Sequence, residues 1–257
     1  SLYAEGMPDN KKRVALLYGP VVLAGQLGEK MPDPVYGTPV LLTDNYSVTD
    51  WAKPVADKPL VFQLENVGKP MDVQLIPFYK TNSQYYNVYW DYFNNAEWLN
   101  RQAAYEAQRK HEHEIEERTI DIMRLGEMQP ERDHHLTASE NSYVDGALGK
   151  MGREARKNGF FAFDMKVQPE TMNILLCEYL GDDKNRTFDI LIDGQKIAEE
   201  NLKGSETGKF FEKEYPIPND LIRGKTIVIV RIQANDHSTA GRVFGCRILK
   251  SDKNNLN

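Results

Sequence analysis

Cysteine is scarce in this chain of 257 residues, which contains only Cys177 and Cys246. A disulfide framework and a structural zinc site both need several thiols at suitable spacing, so the sequence favours neither. Each cysteine stands at an inward-facing position of an apolar strand pattern, where a free thiol serves as a small hydrophobic side chain. We therefore expect two buried free thiols.

Long apolar runs and an excess of positive charge are also missing. The longest apolar run covers residues 14–17 and 21–24 and is broken by Gly19-Pro20, whereas a membrane helix needs roughly 20 apolar residues. Lysine and arginine total 32 and aspartate and glutamate total 38, which gives a net charge of −6. A nucleic-acid-binding protein usually carries a basic face. We therefore expect neither membrane insertion nor a nucleic-acid partner.

The start of the chain also lacks a charged segment followed by an apolar one, which is the pattern of a secretory signal. The chain opens directly with Ser1-Leu2-Tyr3. We expect that it is a fragment and that an upstream part of the parent protein precedes it.

Residues 1–93 have the pattern of a first β-sandwich. Short apolar runs alternate with connections rich in proline, glycine and aspartate, and we predict strands at 13–17, 21–24, 60–64, 73–79 and 85–93. The last of these strands places Tyr86 and Trp90 on one face and Tyr85 and Tyr89 on the other. Only one face of a sheet is covered by an opposing sheet. We therefore expect some of these rings to form an exposed aromatic surface.

A linking helix is predicted over residues 94–125. Asn94 and Glu97 have the spacing of a capping box, which marks a helix start, and neither glycine nor proline interrupts the residues that follow. The first turns carry apolar residues, and the second half is almost entirely charged. The helix is therefore expected to dock at its start and to act as a strut between two domains.

We predict a polar loop segment at 126–159, a second β-sandwich at 160–250 and a polar tail at 251–257. In the second sandwich apolar residues alternate with polar ones, as at Phe161, Phe163 and Met165, and Asp193-Gly194 is a hairpin signal. The predicted fold class is therefore mainly β. It consists of two antiparallel β-sandwich domains of jelly-roll type joined by a long α-helix.

Ordered motifs extend along almost the whole chain. They are RVALLYGPVVLAG at 13–25, LIPFY at 75–79, YNVYW at 86–90, EMQPERDH at 127–134, NRTFDILIDG at 185–194, KFF at 209–211 and TAGRVFG at 239–245. The first three resemble the region that follows the catalytic barrel in bacterial β-L-arabinofuranosidase-type glycoside hydrolases. The other four resemble the C-terminal domain appended after that region.

This resemblance implies a parent protein in which an upstream (α/α)6 barrel performs catalysis. The catalytic site of that barrel combines a cysteine nucleophile with a zinc ion held by cysteines and a glutamate. None of these groups carries over to this chain, so we assign it no catalytic residue and no enzymatic activity of its own. The resemblance also implies that the barrel is its partner, that plant polysaccharide is a further partner, and that the parent is secreted or periplasmic.

Sugar binding is one site hypothesis for the second sandwich. Loops at the ends of a sandwich usually carry recognition. The loop-borne candidates are Tyr143, Arg186, Asp236, His237 and Arg242.

Calcium binding is the other site hypothesis, and no other cofactor is expected. Asp182, Asp183 and Asn185 form an acidic loop of the kind that holds calcium through several oxygen ligands. The same residues are also ordinary hairpin chemistry, and this second interpretation is favoured.

The function that the sequence favours is a non-catalytic accessory region that supports the barrel and contacts plant glycans. Two alternatives stay open. One is a free carbohydrate-binding module, which an exposed planar aromatic ring with nearby polar groups would favour. The other is a glycosidase with an unrecognised site between the sandwiches, which a deep cleft with converging carboxylates would favour.

Overall fold

We describe residues 1–32 and 38–251 of the chain in a computed structural model. The chain separates into two compact units, Ser1–Arg109 and Lys110–Asn257. Strands dominate both units, so the predicted mainly-β class is confirmed. No helix within the described ranges is long and apolar enough to cross a membrane. Of the predicted tail at 251–257, only Ser251 lies among the described residues.

The first unit contains one branched β-sheet with ten strands. These are β1 Leu2–Gly6, β2 Arg13–Tyr18, β3 Val21–Gly28, β4 Val40–Leu42, β5 Ala52–Pro54, β6 Phe62–Leu64, β7 Gly68–Lys69, β8 Gln74–Pro77, β9 Tyr85–Asn87 and β10 Tyr89–Phe93. A short helix, α1 Val48–Trp51, precedes β5, and a 3-10 turn, Phe78–Lys80, follows β8.

The sheet branches at β2, and the branch makes room for a core. One edge of β2 pairs with β1, while the other edge pairs with β3 at residues 16–18 and with β10 at residues 13–15. Because β3 and β10 share one edge, they diverge from each other. The core of this unit is a cluster of buried side chains, and these members are each at most 1% exposed: Leu16, Leu23, Leu41, Leu64, Leu75 and Trp90.

Trp90 is fully buried in this cluster, and Gly25 makes room for its indole ring. A Cβ atom at Gly25 would lie 2.6 Å from the ring, which is closer than side-chain atoms approach. Glycine is therefore required at this position by the size of the tryptophan.

Five of the aromatic rings near the end of this unit are exposed, and we call them together the exposed aromatic surface: Phe78, Tyr79, Tyr85, Tyr86 and Tyr89. The prediction that Tyr86 and Trp90 share one face is wrong, because Tyr86 is exposed whereas Trp90 is buried. The predicted strand 85–93 is interrupted at Val88, because β9 pairs with β3 whereas β10 pairs with β2. The alternation of faces therefore does not continue from Tyr86 to Trp90.

The linking helix, α2 Asn95–Arg118, begins where the capping box predicts. The Glu97 amide donates to Asn94 Oδ1 at 2.9 Å, and the Asn94 amide donates to Glu97 Oε2 at 3.0 Å. The predicted end at residue 125 is wrong, because Thr119–Arg124 form a strand. Thr119, Ile120 and Ile122 are β-branched, and such residues favour strands over helices.

The second unit is a two-sheet β-sandwich. Its strands are β11 Thr119–Arg124, β12 Thr137–Ala138, β13 Ser142–Ala147, β14 Lys150–Arg156, β15 Phe160–Lys166, β16 Asn173–Leu180, β17 Lys184–Ile192, β18 Gln195–Lys203, β19 Phe210–Ile217, β20 Ile227–Ala234 and β21 Thr239–Lys250. Two short helices, α3 Met128–Asp133 and α4 Asn219–Ile222, lie in the connections.

The polar loop segment predicted at 126–159 is wrong. This region contains α3, the short strand β12 and the hairpin of β13 and β14. Strand β13 has no buried residue, so no apolar alternation marks it in the sequence. The hairpin nevertheless forms because β14 pairs with β21, which gives it an edge of the sheet to join.

One sheet of the sandwich has the strand order β13-β14-β21-β16-β19, with β11 also paired to β21, and the other has the order β12-β15-β20-β17-β18. The predicted alternation is confirmed, since Phe161, Phe163 and Phe188 are at most 1% exposed and belong to the core. The predicted turn at Asp193-Gly194 joins β17 to β18. Both of its residues have positive φ, 50° and 83°, as a type I′ hairpin turn requires.

Cys177 and Cys246 are buried free thiols, as predicted. They lie directly opposite each other on β16 and β21, and their sulfur atoms are 3.4 Å apart. Burial raises the pKa of Cys246 well above its ordinary value, which favours the uncharged thiol.

The capping box gives a testable expectation for α2. Asn94→Ala should destabilise the first helical turn by about 1 kcal/mol, because the Glu97 amide loses its acceptor. Hydrogen exchange of the amides in this turn should then accelerate about fivefold. The matched control is Asn95→Ala, which removes an exposed side chain outside the cap. Equal acceleration in both variants would contradict the role of Asn94.

Candidate functional site

An open groove with a volume of about 880 Å³ lies at one end of the second unit. Its walls come from the connection between β14 and β15, from β17 and β18, and from the end of β20 with the loop that follows. The residues that line it are Asn158, Asn185, Thr187, Asn201, Gln233, Ala234, Asn235, Asp236, His237 and Ser238.

Hydrogen bonds to the backbone hold the walls of the groove in place. The Asn158 amide donates to the Asn235 carbonyl at 3.3 Å. The Thr187 amide donates to Ser238 Oγ at 2.7 Å. Asn158 and Asn185 have φ values of 61° and 57°, a left-handed conformation that asparagine adopts more readily than most residues. The three parts of the groove are therefore tied to one another.

Most side chains in the groove have unused hydrogen-bonding groups. Within residues 1–32 and 38–251, the side chains of Asn158, Asn185, Asn201, Asn235, Asp236 and His237 make no hydrogen bond or ion pair. A primary amide offers both donors and acceptors, and a hydroxyl group does the same. Neither lysine nor arginine lines the groove, and Asp236 is the one carboxylate in its lining. The groove can therefore hydrogen-bond a neutral, hydroxyl-rich ligand.

The groove contains two of the five residues predicted for sugar binding, Asp236 and His237. Tyr143 lies elsewhere, on β13, where its ring is half exposed and the Arg156 guanidinium lies 5.0 Å from its centre. Arg186 and Arg242 do not line the groove either. The structure thus brings together only part of the predicted set.

Arg186 and Arg242 belong instead to a buried ion-pair network with Asp183 and Glu154. Arg242 Nη2 and Arg186 Nη2 lie 3.0 Å and 3.2 Å from Asp183 Oδ1. Arg186 Nη1 donates to Glu154 Oε2 at 2.8 Å. The side chains of both acidic residues are 4% exposed. These guanidinium groups bind inside the protein, so the sugar-binding role predicted for the two arginines has no geometric support.

The calcium hypothesis does not fit this geometry. Both oxygens of Asp183 accept hydrogen bonds from Arg242. Asp182 is exposed and accepts the Gly208 amide at 2.8 Å, while Asn185 lines the groove. In the part of the chain that the structure describes, no group of three or more His, Cys, Asp or Glu side chains could hold a metal ion. The three predicted ligands therefore lie in different environments and do not converge.

Removing the Asp183 side chain should lower the unfolding free energy of the second unit much more than removing that of Asp182. Asp183→Ala leaves two buried guanidinium groups without their shared partner, and we expect a loss of about 3 to 5 kcal/mol in the unfolding free energy of the second unit. The control Asp182→Ala should cost less than about 1 kcal/mol. Chemical denaturation measures both. A rise in the wild-type midpoint on adding calcium would contradict the assignment of Asp183 to an ion-pair network alone.

Glu154 should make the second unit sensitive to acid. Burial alone would raise the pKa of this carboxyl, but hydrogen bonds from Arg186 and Arg156 outweigh it and hold the pKa below its ordinary value of 4.5. A carboxyl with a lowered pKa in the folded state contributes stability above its unfolded-state pKa. That stability is lost as the pH falls through the folded-state pKa.

Glu154→Gln should therefore flatten the fall in melting temperature of the second unit below pH 4.5, the ordinary pKa of a glutamate. The control is Glu140→Gln, which changes an exposed glutamate and should leave the acid limb of the profile as it is. The same acid limb in the wild type and in Glu154→Gln would show that this carboxyl does not govern acid stability.

The second unit is thus an antiparallel β-sandwich with an open polar groove at its loop end. A family model described as a family of unknown function (DUF6805) matches residues 114–249. That range is more than half of the chain, and the chain belongs to this family. No curated protein matches it.

Solved carbohydrate-binding modules show a partial likeness to the chain. A family 35 module from Clostridium thermocellum is 13% identical, with a TM-score of 0.37 over 51% of this chain and 97% of that one. The GH26-CBM35 β-(1,4)-mannanase of Podospora anserina is 12% identical, with a TM-score of 0.36 over 51% of this chain and 27% of that one. At such scores no functional conclusion rests on the likeness.

Proposed function

We propose that this chain is a non-catalytic, glycan-binding accessory region and that its groove binds a neutral saccharide. The observation that carries the proposal is the concentration of amide side chains without partners around one groove. Sugar hydroxyls present donors and acceptors at close spacing, and amides can match both. A few convergent polar groups in a concave site are what fixes the orientation of a small ligand.

The lining of the groove favours a neutral glycan held by hydrogen bonds. Asp236 is its one carboxylate and His237 its one basic side chain, so no charged patch selects an ionic ligand. His237 also has the one flat aromatic ring in the lining. Each hydrogen bond that remains in contact with water adds little net free energy. We expect a dissociation constant of about 1 mM for an oligosaccharide.

The groove also lacks the groups that a glycosidase needs. Hydrolysis of a glycosidic bond generally requires two carboxyl groups about 5 to 10 Å apart. Asp236 stands alone as a carboxylate in the lining. This composition supports binding rather than hydrolysis at the groove.

The resemblance of the sequence motifs supports a finer proposal about the parent protein. The motifs at 13–25 and 185–194 resemble those of β-L-arabinofuranosidase-type glycoside hydrolases. The proposed parent is a secreted or periplasmic bacterial enzyme of that type, and its upstream (α/α)6 barrel is the proposed partner. The expected glycan is then a plant polysaccharide that contains arabinose.

The exposed aromatic surface of the first unit suits a contact with that barrel. Tyr79, Tyr85 and Tyr89 combine apolar area with a hydroxyl group, as residues at interfaces often do. Exposed apolar patches of this kind generally mark interaction sites. The first unit would then contact the barrel while the second unit binds the glycan.

A titration of the full chain with arabino-oligosaccharides, followed by NMR, tests the glycan site. We expect shifts in the amides of residues 158, 185, 201 and 235–238. Asn235→Ala should weaken binding about fivefold, because one hydrogen bond contributes about 1 kcal/mol. The control Asn219→Ala changes an exposed asparagine on α4, outside the groove, and should bind like the wild type.

Two outcomes would count against this proposal. One is the absence of shifts in the groove with arabino-, xylo- and manno-oligosaccharides alike. The other is equal binding by the wild type and Asn235→Ala, with shifts on a different surface. Shifts confined to the exposed aromatic surface of the first unit would move the glycan site there.

A further inference from the structure

The outer face of the six-stranded sheet contains a second cavity, separate from the groove. Its volume is about 350 Å³, within the range of pockets that hold small ligands. Its walls come from β11, β21, β16 and β19 and from the turn between β13 and β14. Nothing in the proposed function of the groove uses this cavity.

The cavity is open because Gly245 has no side chain. The strand register places Arg124, Gly245, Glu178 and Glu212 side by side on four neighbouring strands. They face outward, because the residues next to them along the strands belong to the core. A Cβ atom at Gly245 would meet only Met123 O, at 3.4 Å. Neither backbone conformation nor crowding therefore requires glycine here.

Contacts with α2 and with the hairpin of β13 and β14 hold the two glutamates of the cavity in place. On one side, His111 of α2 lies with Nε2 3.0 Å from Glu212 Oε2. Four residues further along α2, Ile115 packs in a small apolar cluster with Ile174, Leu176 and Leu249. On the other side, Lys150 pairs with Glu178 and lies 4.7 Å from the centre of the Phe210 ring. The end of the helix therefore contacts the lining residues Glu212 and Leu176, and Lys150 of the hairpin lines the cavity itself.

The outward face of the sheet carries arginines on β11 and β21 and glutamates on β16 and β19. Glu178 on β16 and Glu212 on β19 already have cationic partners. The side chain of Arg124 on β11 makes no hydrogen bond or ion pair within the described residues. Arg247 on β21 donates to Thr119 Oγ1 at 3.3 Å. A guanidinium has five N–H donors, so both arginines have donors to spare.

We propose that this cavity binds a sugar acid, that is, a monosaccharide unit that carries a carboxylate. Guanidinium groups with free donors suit a carboxylate in two-point geometry. The glutamates on the opposite side accept hydrogen bonds from hydroxyl groups, and Leu176 and Phe244 add apolar surface. A simple carboxylate would leave the glutamates unused, and a neutral sugar would leave the arginines unused. The choice of a sugar rests on the proposed function, whereas the position of the site does not.

Glu127 also lines the cavity, so the effect of charge on binding can be tested by removing either a positive or a negative side chain. Its carboxylate stands three residues after Arg124 and would repel an anionic ligand at that guanidinium. Replacing Arg124 should weaken the binding of a sugar acid, whereas replacing Glu127 should strengthen it. A merely structural role of either residue would not produce opposite effects.

The experiment is a titration of the full chain with the methyl glycoside of galacturonate, followed by NMR. Shifts are expected for the amides at 122–124, 176–178 and 244–247, and not for those of the groove at 235–238. Arg124→Gln should weaken binding about tenfold, the loss expected for one charge-assisted contact. Glu127→Gln should tighten it. Methyl galactoside and acetate, each lacking half of the ligand, should bind more weakly.

Gly245→Val separates binding in this cavity from binding elsewhere. Valine suits a strand, and its Cβ atom would approach only Met123 O, at 3.4 Å, so the variant should fold and should abolish binding by filling the cavity. Asn235→Ala, in the groove, should leave galacturonate binding unchanged. Any of three outcomes would overturn the proposal. Galacturonate could still bind to Gly245→Val, it could bind equally well to Arg124→Gln, to Glu127→Gln and to the wild type, or acetate could bind as tightly as galacturonate. A failure of neutral glycans at the groove would leave these results untouched.

Discussion

The backbone hydrogen bonds of β21 are the constraint on which most of the second unit depends. This strand of twelve residues pairs with β16 along one edge and with β14 and then β11 along the other. Cys246 on its inner side belongs to the core, and Gly245 beside it opens the outer cavity. Near its start, Arg242 binds Asp183. One strand therefore fixes the relative positions of the core, the ion-pair network and the cavity.

The ion-pair network explains how a groove built from exposed loops keeps its shape. Arg186 lies between Asn185 and Thr187 on β17, so successive residues of one strand face the network and the groove. Burying these charges is costly, and the paired hydrogen bonds offset that cost only while every partner is in place. Arg186 on β17 pairs with Glu154 on β14 and shares Asp183 with Arg242 on β21, so the network ties the neighbouring groove residues to these strands.

Much of this fold could be predicted from residues whose neighbours in sequence decide their structure. The alternating strands of the second core and the capping box of α2 are of this kind, since each depends on local spacing. The end of α2 at Arg118 is marked less clearly, because neither glycine nor proline stands there and the β-branched residues that follow complete their strand only by pairing with β21. The same holds for the groove. Asp236 and His237 could be predicted as loop residues, but Asn158 and Asn201 join them only through the strand order of the five-stranded sheet. A single sequence does not reveal that order.

An open groove that binds through hydrogen bonds is a weak site, and weakness suits an accessory region. With about 1 kcal/mol from each exposed hydrogen bond, an isolated groove with a dissociation constant of about 1 mM is mostly empty at low glycan concentrations. In the proposed parent, the barrel and the groove belong to one chain, so glycan bound by one meets the other at an effective concentration of about the millimolar range. The groove is then substantially occupied while the enzyme is on its substrate. It still releases quickly, because a weak complex dissociates fast. A groove with a much higher affinity would keep the proposed parent bound to glycan that the barrel had already processed.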